Sequence, residues 1–174
     1  MPGRNRDEAW RAFLEPFARA VGTVDMTSRL QWRHVDDATS VVTTGAPGLA
    51  LDRPGMPKTS LYAAMTLCCI ADKAERGPFR MSTRRYDFEL IEGGAVVFGW
   101  HWHPESKRTD VTWPHLHLPP GSVHKSKHVP TGRVALEDVL LFCIRDMNVR
   151  PAHDQGIPIL EEVAQRHKQH RSWA

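Results

Sequence analysis

Cysteine is scarce: the 174 residues hold three, with Cys68 and Cys69 adjacent and Cys143 far from both. An odd count at that spacing builds no disulfide framework. Metal-binding cysteines usually come as C-x2-C pairs, so these three are expected to be small buried hydrophobes. No apolar run approaches the roughly 20 residues that a membrane-spanning helix needs, and no membrane partner is expected. The opening residues, MPGRNRDEAWRAFLEPF, lack the apolar stretch of a secretory signal and carry acids, which sets the expectation of a cytoplasmic protein. A large charge excess is missing too. The formal net charge of +3 is short of what a dedicated nucleic-acid coat carries. Internal repeats and linker-like segments are absent. At 41% apolar and 25% charged, the composition is that of a soluble globular chain long enough for a real core, and residues 1–174 are expected to form a single domain.

What the chain has in unusual measure is histidine in one stretch. Six of its ten histidines lie between residues 93 and 128. They form two His-x-His pairs, His101/His103 and His115/His117, followed by His124 and His128. In a strand, residues i and i+2 share a face, so each pair presents two imidazoles side by side. Trp100 and Trp102 alternate with the first pair. The tryptophans are the better core candidates, which turns the histidines outward. Between residues 107 and 133 there are five Lys/Arg, four His and one acid, Asp110. Such a patch attracts an anion such as a phosphate backbone.

Around this stretch, periodicity gives the elements. Residues 7–20 read as an amphipathic helix with Asp7 as N-cap and Pro16 as a break or kink. Residues 27–35 and 38–44 read as a hairpin, with Leu30 and Trp32 sharing a face. Residues 45–58, with three prolines and three glycines, read as a long loop. Residues 60–76, rich in Ala, Leu and Met, read as a buried helix stopped by Gly77-Pro78, with Met56 and Met65 as core filling. Residues 80–92 alternate as a strand, with Tyr86, Phe88 and Leu90 on one face and Arg85, Asp87 and Glu89 on the other. A Glu92-Gly93-Gly94 turn leads into a strand at 95–103, with a short edge strand at 111–118 after it. Thr131 is placed to cap a helix at 134–147, and a last helix covers 157–170. Together these imply an α+β fold, an antiparallel sheet of about five strands with flanking helices.

Four uses of the histidines compete. Two facing His-x-His pairs supply the convergent neutral imidazoles that zinc or another divalent transition metal takes, with His101, His103, His115 and His117 as ligands. With Glu105 nearby, this set resembles a cupin's, although Glu105 follows His103 by only two residues and the strands are too few for a barrel. Alternatively, the imidazoles act as acid and base on RNA, one removing the 2′-OH proton and another protonating the leaving oxygen; cationic side chains then stabilise the added negative charge, and no cofactor is needed. In a third use, Tyr86, Trp100, Trp102 and Trp113 make a stacking surface for bases, a non-catalytic nucleic-acid- or protein-binding module. In the plain structural alternative the histidines are simply hydrogen-bonded within the sheet.

Arg85-Tyr86-Asp87-Phe88-Glu89-Leu90, Gly93-Gly94-Ala95-Val96-Val97-Phe98 and Pro114-His115-Leu116-His117-Leu118 together resemble the TumE-type toxin components of bacterial toxin–antitoxin systems. His128-Val129-Pro130-Thr131-Gly132-Arg133 before a helix fits the same setting. The resemblance spans residues 84–147. Lys107-Arg108-Thr109-Asp110 stands where that family has an acidic-aromatic run, and the first 80 residues exceed what such toxins need. The resemblance implies an antiparallel sheet with helices, an RNA-directed toxin activity, a helix-turn-helix antitoxin as partner, and a role for His115 and His117. The leading expectation is therefore a toxin-like, metal-independent ribonuclease. In it His115 and His117 are the acid/base pair, His101 and His103 support them, and Arg84, Lys125, Lys127, His128 and Arg133 bind RNA phosphate. A homo-oligomer is the remaining partner expectation.

Overall fold

Two long strands, β5 (Thr59–Ala71) and β6 (Phe79–Glu92), run antiparallel through the middle of the molecule. The structure is a computed structural model and describes residues 2–71, 78–105, 107, 111–119 and 128–170. The strand β5 corrects the helix expected over 60–76. Leu61, Ala63, Met65 and Leu67 point to the core, while Tyr62, Ala64, Thr66 and Cys68 alternate onto the half-exposed face. Ala, Leu and Met favour a helix by only tenths of a kcal/mol per residue. Ladder bonds on both edges of the segment outweigh that preference.

The remaining strands are β1 (Pro2–Gly3), β2 (Gln31–His34), β3 (Thr39–Thr43), β4 (Leu49–Leu51), β7 (Ala95–Trp102), β8 (His115–His117) and β9 (Val129–Pro130). The nine strands form one antiparallel sheet in the order β2-β3-β5-β6-β7-β8-β9, with β1 added to β6 and β4 to β5. The α+β class holds, with more strands than the sequence suggested. Four were not expected as strands: β1, β4, β9 and β5, the last expected as a helix. The β6–β7 turn is as expected: Gly93 and Gly94 both take positive φ, at 56° and 86°, the conformation a two-residue hairpin turn demands.

Helices α1 (Arg6–Gly22), α2 (Leu136–Arg145) and α3 (Gly156–His170) cover one face. Against them lie Val42, Leu61, Met65, Leu67, Tyr86 and Phe88, with Leu90, Trp100 and Trp102 continuing the layer. Phe142 of α2 meets Phe98 and Trp100 edge-on at 5.6 and 5.5 Å between centroids. Trp100 and Trp102 are therefore core residues, as their alternation implied, whereas Trp32, Trp113 and Met56 are exposed. Cys143 is fully buried and burial pushes its thiol up to about 12; Cys68 and Cys69 are only half-buried.

Helix α1 is capped by Asn5 rather than Asp7. The Asn5 side-chain oxygen accepts from the Glu8 amide at 2.9 Å, and Pro16 sits within the helix without ending it. Replacing this cap, Asn5→Ala, is expected to cost about 1 kcal/mol in urea unfolding; an unchanged midpoint would show that the cap contributes nothing. Helix α2 starts from Ala135 rather than Thr131, with the Ala135 amide donating to Asp138 Oδ2 at 3.2 Å.

The expected loop over 45–58 contains β4, whose Leu49 and Leu51 are buried. Asp25 holds it in place. Its carboxylate accepts from Ala50 N at 3.0 Å, from the Thr27 amide and hydroxyl at 2.9 and 2.7 Å, and from the Ser28 amide and hydroxyl at 3.0 and 2.5 Å. No helix of the described residues is long and apolar enough to cross a membrane.

Candidate metal centre

The open face of the sheet, opposite the helices, carries the histidines. Antiparallel pairing sets His101 of β7 directly across from His115 of β8, and Gly99 across from His117. On the other side of β7, Asp87 pairs with His101 and Glu89 with Gly99. In β9, Pro130 faces His115, and the same register brings His128 to the side of His117. Period-2 alternation on four neighbouring strands thus gathers five imidazoles and two carboxylates on one surface.

Gly99 makes the gathering tight. With no side chain there, the His101 ring leans back along its strand. A Cβ at residue 99 would stand 3.0 Å from His101 Nε2 and 3.6 Å from His117 Cβ. The lean brings the His101 and His117 centroids to 4.6 Å, against 5.8 Å for the directly opposed His101 and His115. His128 packs across His115 and His117 at 4.6 and 4.7 Å. One ring nitrogen from each of His101, His115 and His117 lies within 4.8 Å of the others. Nitrogens bound to one ion at about 2.1 Å sit roughly 3.4 Å apart, so closure requires ring rotations on the order of an ångström.

The protonation states suit such use. His115 is 4% exposed, and its Nδ1–H donates to the Trp113 carbonyl at 2.9 Å. That bond fixes the tautomer and leaves Nε2 as the lone-pair nitrogen. Burial lowers the pKa of His101 to about 4, offset in part by Asp87 and reinforced by the neighbouring histidines. His115 and His117 are lowered as well, chiefly by burial and then by surrounding imidazoles. All three rings are neutral at pH 7, the form a metal binds. His101 Nε2 is buried and lies 3.3 Å from Glu89 Oε1 without forming a hydrogen bond. A buried nitrogen in that condition is costly unless something occupies its lone pair or proton.

His103 plays a different part. It stacks on His101 at 5.7 Å with an interplanar angle of 16°, and its Nε2 bonds Asp87 Oδ1. It is outside the convergent trio. Arg133 and Arg84 also stand apart from the trio. The Arg133 guanidinium lies 3.7 Å over the Trp102 ring, a core residue on the helix side. Arg84 is exposed at the bulge where the β5–β6 register shifts, close enough to Arg133 to disfavour its charge. Glu105 is exposed on the turn after β7, and Lys125, Lys127 and His124 lie outside the described residues. Gly99, Asp87 and Glu89 are the site's contributors that the histidine pattern did not single out. The outward alternation of Asp87 and Glu89 was visible, but which strand they would face was not. Comparison with known protein families, with curated proteins and with solved structures found no match for the chain.

Proposed function

We propose that the chain is a histidine-ligated metalloprotein, with His101, His115 and His117 holding one divalent transition ion on the open sheet face. The observation that carries this is the convergence of three imidazoles, with one ring nitrogen of each within 4.8 Å of the others. An all-imidazole set suits zinc, copper, iron or nickel rather than magnesium or calcium. His128 is placed either to add a fourth nitrogen or to border the open coordination position. Three histidines with one open position is a catalytic rather than a sealed structural pattern, and a bound ion there would acidify water and polarise a phosphoryl or carbonyl oxygen. The chain's own residues supply the rest. Asp87 orients His103 beside the trio, and Glu89 supplies a carboxylate at 3.3 Å from His101. Burial pushes the Glu89 carboxyl up, with Asp87 adding to the shift.

Calorimetric titration of tag-free chain with zinc is expected to give one site per chain; no saturable binding would overturn the proposal. Gly99→Val refines the test. A branched side chain at 99 displaces the His101 ring, so affinity is expected to fall roughly tenfold or more, the scale of a disturbed ligand orientation. The stability of the metal-free chain should not fall, since valine favours a strand over glycine. Equal affinity in that variant would remove His101 from the ligand set.

A second reading keeps the toxin-like ribonuclease, with His115 and His117 acting directly on RNA and a helix-turn-helix antitoxin as partner. Trp113 favours it: 46% exposed and two residues from His115, it offers a stacking surface beside the cluster. Expression of the wild type beside His115→Ala/His117→Ala decides it. Growth arrest by the wild type alone supports it, and normal growth of both sinks it.

A further inference from the structure

The three most exposed large apolar side chains among the described residues are close in sequence: Met26, Trp32 and Val35, at 66, 55 and 53% exposure. They lie in or beside β2, which ends the strand order on the side away from the histidines. One edge of β2 pairs with β3, and no described strand pairs with the other. All four residues of β2 are exposed. The Val35 amide donates to the Thr39 carbonyl at 2.8 Å, in register with the β2–β3 ladder. By alternation Arg33 and Gln31 also bond β3, and the backbone groups of Trp32 and His34 point outward. Beside this edge a groove of about 270 Å3 runs between α1 and β2, with Leu14, Ala18, Val21, Met26, Leu30 and Trp32 in its walls.

We propose that the outer edge of β2 is a dimer interface, to which a second copy of the chain adds its own β2, antiparallel, about a two-fold axis at Trp32. The edge is complementary to itself in charge. Its start is basic, with Arg29 and Arg33, and its end is acidic, with Asp36 and Asp37, all four exposed. Antiparallel pairing lays the basic start of one copy beside the acidic end of the other, as a two-fold interface requires. Centred on Trp32, the pairing sets Arg33 across from the second copy's Gln31, an uncharged acceptor. Arg29 then stands across from the second copy's Val35, one diagonal step from its Asp37 and within reach of a long side chain. The neighbouring register that also matches the outward backbone groups, Trp32 across from His34, opposes Arg33 to Arg33 and is disfavoured. Asp36 is engaged in its own turn, accepting from the Ala38 and Thr39 amides at 2.8 and 2.7 Å. Arg29 makes long contacts, 3.5 Å, to the Met26 and Ser28 carbonyls, so its pairing with Asp37 gives up little. Trp32 of each copy meets Trp32 of the other at the mouths of the two grooves, which takes their apolar walls out of water. An uncovered strand edge with apolar side chains is a template for another chain, and the charge order of this one matches its own copy.

Analytical ultracentrifugation of the tag-free full chain tests this, with a chelator present so that no metal bridges two copies. The expected result is a monomer–dimer equilibrium with a dissociation constant on the order of 10 μM, the range of a small interface. Trp32→Lys sets two cations against each other on the axis and is expected to weaken the dimer roughly tenfold or more. Met56→Lys, which adds the same charge at an exposed apolar residue outside the edge, should leave it unchanged. Arg29→Asp and Asp37→Arg are each expected to weaken it about fivefold, and the double variant Arg29→Asp/Asp37→Arg to return to within about twofold of the wild type. A wild type that stays monomeric at roughly ten times the expected dissociation constant overturns the proposal and leaves the edge to an extended segment of another protein. A dimer that Trp32→Lys does not weaken, or that the charge exchange does not restore, also overturns it.

Discussion

Zinc at a thousandfold excess over its dissociation constant is expected to raise the unfolding free energy of the wild-type chain by about 4 kcal/mol, and to leave His115→Ala/His117→Ala unmoved. For a chain of this size that corresponds to a rise of about 10 °C in the thermal midpoint. The reasoning starts from the ladder. His115 and His117 are successive outward positions of one three-residue strand, and each is paired through β7 with the residue that completes the cluster, His101 or Gly99. Removing both leaves His101 beside His103 alone, whose Nε2 is engaged by Asp87 and which lies outside the convergent trio. A single distant ligand binds a divalent ion at least roughly 100-fold more weakly than a convergent set. Scanning calorimetry with and without zinc reads the difference. A variant that still gains several degrees would place the ion elsewhere, and a wild type that gains nothing would mean that the three imidazoles do not act together.

Asp25→Ala is expected to destabilise the chain by about 3 kcal/mol at pH 7, since bonds to a charged group are each worth about 1.5–3 kcal/mol net of water and burial of the carboxylate offsets part of their sum. The five donors to Asp25 join the end of α1 to the middle of β4. Without the carboxylate, the Ala50 amide loses the partner that ties β4 to the α1 end. Hydrogen bonds from Ser28, Thr27 and Ala50 outweigh the burial cost and hold the Asp25 pKa far below the usual carboxylate range. The sign follows from linkage: a depressed folded-state pKa gives stability that is present above the unfolded value, about 3.9, and is lost as pH falls toward the folded one. Urea unfolding of wild type and variant at pH 7 and pH 2.5 should therefore show a gap that narrows in acid. A gap below 1 kcal/mol at pH 7, or one independent of pH, would contradict this role.

Much of the candidate site was legible because strand alternation is rigid. Once residues 95–103 were read as extended, Trp100 and Trp102 had to oppose His101 and His103, and the larger apolar rings took the core. The same logic did not extend to Trp113, which precedes β8 and has no sheet partner to bury it. The ligand geometry was less legible. His103 looked equivalent to His101 in sequence, but Asp87 across the ladder engages it, while the missing side chain at Gly99 tilts His101 toward His117. Both effects depend on the β6–β7–β8 register, which no local pattern states. In β5, Ala63, Ala64, Met65 and Leu67 spelled a helix, and only pairing with β3, β4 and β6 made the segment a strand. The short strand β4 was hidden among prolines and glycines for a related reason. What holds it is its pairing with β5, one long-range bond that the Ala50 amide donates to Asp25, and the burial of Leu49 and Leu51.

X-ray absorption at the zinc edge of the zinc-loaded, tag-free wild-type chain tests the trio most directly. The expected result is one zinc per chain with three or four imidazole nitrogens at about 2.0 Å and no sulfur. A zinc that dialyses away completely, or a first shell built from sulfur or from oxygen alone, would contradict a metal centre at His101, His115 and His117.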